Sequence, residues 1–351
     1  MFTSHQKFMQ RCLDLALKGM GKVAPNPMVG AVLVYQDEII GEGYHERYGQ
    51  AHAEVNCINS VAEKNRHLLS ASTLYVSLEP CSHFGKTPPC THLILANGIK
   101  KVVVGSVDPF EEVNGKGIAL LREKGVEVIG PVLEKEANEL NRRFFLFHQR
   151  KRPYIILKWA ESANGWMGRK GDEIAISNSY SQKLVHRWRM EESAILVGTQ
   201  TALTDNPKLN NRFFPGPSPV RMVIDRKLIL PKQANLLSDG LPTIVFTESV
   251  SITDGEVKYV QLPESNNWIQ HILDFAYQNR IQSILVEGGS SLLQSFLQAE
   301  CWDEIRVIKS AKAIALSNAD GLKAPSLYLT KPDTTELIGD DSIQYFKRKE
   351  L

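Results

Sequence analysis

Two neighbouring stretches decide the reading of this chain: HAEVN, residues 52–56, and PCSHFGKTPPC, residues 80–90. His52, Cys81 and Cys90 form a plausible metal-donor set, and Glu54 stands two residues from the histidine. The pattern predicts His52 and Glu54 in the first turn of one helix and Cys90 in the first turn of another, behind Pro88 and Pro89. Cys81 follows the strand LYVSLE. In an α/β layer, strand C-terminal ends and the following helix N-termini share one rim, so the four side chains can converge there. Helix N-termini also favour thiolate over thiol, the ligand form. Three protein donors leave zinc an open fourth position, which is the catalytic pattern. A closed structural site needs a fourth ligand, for which His83 is the candidate. Without metal, the cysteines read as small buried hydrophobes.

Working outward, strand and helix patterns alternate. A first amphipathic helix carries Phe8, Cys12, Leu15 and Ala16 on one face and ends at Gly19. Then come APNPMVGAVLVY, a Pro-Asn-Pro turn feeding an apolar run, the strand EIIGEGYH with Gln36-Asp37 as the turn, the helix HAEVNCINSVAEK and the strand STLYVSLEP. A helix closed by Gly98, the strand KKVVVGSVDP, the helix GKGIALLREKG and the short strand VEVIG follow. This alternation predicts an α/β layer with a largely parallel sheet. One long helix, VLEKEANELNRRFFLFHQRKRP, runs into Pro153, and we place a domain boundary near Arg150, giving domains 1–150 and 151–351. The second half repeats the alternation with more strand, and its pattern weakens after Ala311.

Composition excludes several classes. The chain has 351 residues, a formal net charge of +2 and 23% charged residues, with no long basic run for sequence-independent nucleic-acid binding. No apolar run reaches the roughly 18 residues of a membrane span. Arg11, Asp14 and Lys18 interrupt the first helix, so it does not read as a signal peptide. Five cysteines without a framework spacing point to a reducing compartment, and a cytoplasmic protein is the expectation.

His-x-Glu followed by Pro-Cys is the signature of zinc nucleobase deaminases, whose second cysteine normally lies three positions on. Here it lies nine positions on, with SHFGKTPP inserted. PNPMVGAVLV, GEGYHERYGQAHAEVNCI, LYVSLEPCSHFGKTPPCTHLI and VNGKGI resemble the deaminase half of the bifunctional riboflavin-biosynthesis deaminase/reductases. AILVGTQTALTDNPKLNNR, PVRMVID and VEGGSSLL resemble the reductase half.

The resemblance implies an N-terminal cytidine-deaminase-like three-layer α/β/α domain and a C-terminal dihydrofolate-reductase-like α/β domain. It also implies hydrolytic deamination of a diamino-hydroxy-phosphoribosylamino-pyrimidine, then NADPH-dependent reduction of the ribosyl side chain to ribityl. The implied partners are a small pyrimidine nucleotide and further copies of the chain, with neither nucleic acid nor membrane. One zinc ion is implied at His52, Cys81 and Cys90, and acid/base work at Glu54. Asn26, His45, Lys86 and Asp108 match positions that line the deaminase pocket. Ala160, Ala175, Thr201, Asp205, Arg226 and Gly289 match cofactor positions. Glu173, Arg189, Leu209, Arg212 and Glu287 match reductase-substrate positions. Arg189 and Arg212 suit a phosphate dianion. Arg226 could read the 2′-phosphate of NADPH or be a surface arginine. The glycines of EGGSSLL allow close backbone approach to cofactor phosphates, or an ordinary turn.

There are departures. SANGWMG puts Asn164 where the family carries a carboxylate, Phe110 stands where it carries Asn after Asp-Pro, and the pattern drifts after Lys309. They keep one rival in view, a deaminase whose second domain no longer reduces; the zinc site alone leaves two more, a nucleic-acid deaminase of the transfer-RNA type and a non-enzymatic zinc module.

Overall fold

The computed structural model describes residues 3–82, 88–171, 174–250, 252–263, 267–329 and 331–348. The chain divides into two compact units, Met1–Lys151 and Arg152–Leu351. Elements are numbered in chain order.

The first unit begins with α1 (Ser4–Ala16), β1 (Gly30–Tyr35), β2 (Glu38–Tyr44), α2 (Ala53–Asn59) and β3 (Thr73–Val76). It continues with α3 (Cys90–Ala96), β4 (Lys101–Val104), α4 (Lys116–Glu123), β5 (Glu127–Ile129), α5 (Glu134–Leu140) and α6 (Arg142–Arg150). Thr3 and Gln6 close a capping box on α1. The sheet order is β2-β1-β3-β4-β5. Strand alternation sorts the two faces. Val32 and Val34 pack under Phe8, Cys12 and Leu15 of α1, whereas Ala31 and Leu33 pack with Cys57 and Ile58 of α2. The result is three layers, as expected for a cytidine-deaminase-like unit.

Two expectations are corrected here. The sheet is mixed: β3, β4 and β5 run parallel, but β1 is antiparallel to both β2 and β3. The two-residue turn at Gln36 and Asp37, with φ of 50° and 64°, folds β2 back as a hairpin. The long helix expected through residue 150 is broken at Asn141, where φ is −102° and ψ 20°. The Asn141 side chain leaves the helical pattern to accept from Met28 N–H at 2.8 Å and donate to Met28 O at 2.9 Å.

The second unit opens with β6 (Tyr154–Glu161), β7 (Trp166–Arg169), α7 (Ser179–Glu191), β8 (Ala194–Gly198), α8 (Thr199–Asp205) and β9 (Val220–Ile224). Next come α9 (Asn235–Ser238), β10 (Thr243–Thr247), β11 (Thr253–Asp254), β12 (Val257–Gln261), α10 (Trp268–Gln278) and β13 (Ser283–Val286). It ends with α11 (Ser290–Gln298), β14 (Glu304–Ser310), β15 (Gly321–Lys323), β16 (Thr334–Ile338) and β17 (Asp341–Lys347). Ten strands form one sheet in the order β11-β12-β10-β9-β8-β13-β6-β14-β17-β16. From β12 to β14 all neighbours are parallel, and the flanking strands are antiparallel. The parallel strands are near-continuous apolar runs, as burial on both faces requires. Leu157, Leu196, Val286 and Val307 face α10 and α11, while Ile195, Val197 and Val223 face Ala202 of α8 and Leu236 of α9. The drifting tail builds β16 and β17, with β17 registered against β14 along its length.

Candidate active sites of the two units

The metal-donor set assembles despite its long spacing. His52 caps α2, and Cys90 opens α3. The Cys81 carbonyl accepts from Thr91 N–H and Thr91 Oγ1, both at 3.2 Å, which ties the segment after β3 to the start of α3. His52 Nδ1 then lies 3.6 Å from Cys81 Sγ and 3.3 Å from Cys90 Sγ. The three donor atoms fall within 4.8 Å of one another. Zinc bond lengths and tetrahedral angles imply donor separations of roughly 3.5 Å for nitrogen and sulfur, so the set fits the ion. His83 and the inserted Lys86 lie outside the described residues.

The electrostatics favour a ligand-ready site. Hydrogen bonds from Cys90, and then from His52, pull the Cys81 thiol down to about 4 against the effect of burial. Cys90, sharing its proton with Cys81 in a buried setting, is pushed up. His52 is raised, first by its bond to Cys81. Glu54 is 3% exposed beside this set, and burial and then the Cys81 charge raise its carboxyl. A buried carboxyl raised in this way holds a proton more readily than a free one, as a general acid/base requires.

Three of the residues expected to line the pocket, Asn26, His45 and Asp108, are among the described residues. His45 Nδ1–H donates to Ala51 O at 2.9 Å, leaving Nε2 to accept from Asn26 Nδ2 at 3.1 Å. Burial lowers the His45 pKa, which fits this neutral tautomer. Its ring stands edge-on to His52 at 5.5 Å. Asp108 is buried, and its Oδ1 accepts from Phe110 N–H at 2.8 Å. Burial raises its carboxyl to about 7, with the Glu79 and Cys81 charges adding to the rise. Phe110 packs its ring on His148 at 4.8 Å.

In the second unit, the Arg189 guanidinium pairs with both oxygens of Glu287, at 3.1 and 2.7 Å. Lys158, which sequence reasoning missed, lies 3.7 Å from the same carboxylate. A lone lysine in a strand pattern carries no local signal, and only the parallel pairing of β6 with β13 brings it to Glu287. Arg189 Nη1 also donates to Asn210 O at 3.3 Å, and Arg212 Nη1 donates to Asn210 Oδ1 at 3.1 Å, so Asn210 joins both arginines. His186, also missed, accepts from Arg212 N–H at 3.2 Å. Burial and then Arg189 and Arg212 pull it down to about 4, so it is neutral at pH 7.

The remaining positions divide. Thr201 Oγ1 accepts from Gly289 N–H at 2.8 Å, so these two residues, both expected at the cofactor, are joined. At Gly288, a Cβ would meet Gly198 N and Val197 Cα within 2.8 Å, so that glycine answers to the approach of β8. Leu209 buries its side chain in the core with φ of 52°, which leaves only its main chain to meet a ligand. Ala160 stands near the end of β6, Asp205 ends α8, and Ala175 is exposed. Arg226 pairs with Glu248 at 3.1 Å and lies over the Trp268 ring at 5.5 Å. Glu173 lies outside the described residues. Asn164 donates to Ile314 O at 2.9 Å and accepts from Ile314 N–H at 3.1 Å, so its amide matches the drifting segment in a way a carboxylate could not. Among the described residues, no helix is long and apolar enough to cross a membrane.

Comparison with known proteins places both units. The cytidine and deoxycytidylate deaminase zinc-binding region matches residues 2–106, and the RibD C-terminal domain matches residues 153–314. The riboflavin biosynthesis protein RibD of Aquifex aeolicus is 39% identical over 98% of each chain. Its counterpart from Bacillus amyloliquefaciens is 39% identical over 91% of this chain and 86% of its own length. The crystal structure of a diaminohydroxyphosphoribosylaminopyrimidine deaminase/5-amino-6-(5-phosphoribosylamino)uracil reductase from Thermotoga maritima is 37% identical, covers 98% of both chains and superposes with a TM-score of 0.88. With identity and coverage at this level across both units, the chain belongs to the RibD family of riboflavin-biosynthesis deaminase/reductases.

Proposed function

We propose that this enzyme deaminates 2,5-diamino-6-(5-phosphoribosylamino)pyrimidin-4-one in its first unit. Its second unit then reduces the ribosyl side chain of the product to ribityl, giving 5-amino-6-(5-phosphoribitylamino)uracil. The observation that carries the first step is a buried carboxyl, Glu54, beside a three-donor His/Cys/Cys set. Zinc held by His52, Cys81 and Cys90 would supply a Lewis acid that activates water toward the ring carbon. Glu54 takes the proton from that water and delivers it to the departing amine, a role its raised pKa suits. Asn26, His45 and Asp108 orient the pyrimidine.

For the second step, NADPH would supply the hydride, held near Thr201, Asp205 and Gly289. Lys158, its charge balanced by Glu287, gives a proton to the sugar, and Arg212, held by Asn210, receives the phosphate, while Arg189 stays paired with Glu287. The assay is direct. Zinc-loaded protein given the diamino-pyrimidine nucleotide and NADPH should release ammonia and oxidise NADPH. Ammonia without NADPH loss would leave only the deaminase.

A further inference from the structure

Glu79 is a buried carboxylate, 4% exposed, that the proposed chemistry does not use. It stands two residues before Cys81. Oε2 accepts from the main-chain N–H of Asp108 at 3.2 Å and of Gly115 at 2.8 Å. Oε1 accepts from Gly117 N–H at 2.9 Å and Ile118 N–H at 3.2 Å. The Glu79 N–H itself donates to Ser106 O at 2.9 Å. A carboxylate offers about four acceptor positions, so these bonds fill it. Gly117 completes the contact, because a Cβ there would collide with Pro80 O. One residue on the metal-donor segment thus holds both ends of the 106–118 stretch, including the main chain that presents Asp108.

We propose that Glu79 is a positioning residue of the deaminase, fixing Asp108 and the start of α4 relative to the Cys81 segment. This rests on the deaminase reading for Asp108, but the bonds are measurable without it. In wild-type protein, the Asp108, Gly115, Gly117 and Ile118 amides should exchange slowly with solvent deuterium. Glu79→Gln offers an N–H2 group where two N–H donors need an acceptor. Bonds to a charged group of this kind predict exchange at Asp108 and Gly115 faster by roughly 10- to 100-fold. Zinc content should stay at the wild-type value. The KM for the diamino-pyrimidine nucleotide should rise by a similar factor, with kcat changed by less than about 3-fold, as expected when positioning for binding is lost. Fast exchange of these amides in the wild type would overturn the proposal. So would an unchanged KM in the variant, which assigns Glu79 to stability alone, or loss of zinc, which assigns it to the metal segment. Failure of the deaminase reading itself would show separately, as wild-type protein that releases no ammonia.

Discussion

Arg189 and Glu287 lie fork to fork, 3.1 and 2.7 Å apart at their two contacts, and the Lys158 ammonium approaches the same carboxylate. The sequence suggests Arg189 as a free clamp for phosphate. In the folded chain its fork is committed to the Glu287 carboxylate. Burial alone would push Glu287 up, but Arg189 and Lys158 together hold it down at about 2.

Replacing Glu287 by Gln should leave two buried cations without their counter-charge and cost about 3 kcal/mol of stability in the second unit. NADPH oxidation should disappear and ammonia release should persist. The native carboxylate contributes stability that is present above its ordinary pKa and lost as pH falls toward 2. Thermal melts of the variant should therefore be flatter than wild type across the acid range below about pH 4.5.

Cys81→Ser removes the thiolate that His52 and the Cys90 main chain surround. Zinc content should fall close to zero and deamination should vanish. The same protein should still oxidise NADPH when given the deaminated intermediate. Glu54→Gln should keep its zinc and lose about 10²- to 10⁴-fold in deamination, the usual range for a general acid/base. Metal analysis beside an ammonia assay checks both variants.

Asp108 provides the opposite pH signature to Glu287. Its folded pKa is raised to about 7, so its contribution is fully present when protonated, below the ordinary Asp value, and is lost as pH rises through about 7. Asp108→Asn should remove that loss. The variant's melting temperature should vary less than wild type between about pH 4 and 7, and its deaminase KM should rise.

Asn164→Asp tests the departure that raised doubt about the second unit. A carboxylate can accept from Ile314 N–H but not donate to Ile314 O. At this exposed turn the substitution should cost about 1 kcal/mol, read as a lower melting temperature. A more stable variant would contradict the fit between Asn164 and the 311–320 segment.

The metal site was the most legible part of the sequence, because His52, Glu54, Cys81 and Cys90 occupy element boundaries that local patterns mark. Element type was legible for the same reason, down to the hairpin at Gln36 and Asp37. Features that depend on distant partners were not. Asn141 breaks a helix through bonds to Met28, 113 residues away in sequence. Lys158 meets Glu287 only through strand pairing, and β17 finds its register only against β14. Asn164 read as a loss because its partner, Ile314, lies in the stretch with the weakest pattern.

The account assigns the two reactions to separate carboxylates in separate units, Glu54 and Glu287, and mixing two variants that each lack one activity tests that most directly. With diamino-pyrimidine nucleotide and NADPH, Glu54→Gln alone should release almost no ammonia, and Glu287→Gln alone should release ammonia without oxidising NADPH. An equal mixture should restore NADPH oxidation. NADPH loss with the Glu54 variant alone, or a mixture that stays silent, would contradict the assignment.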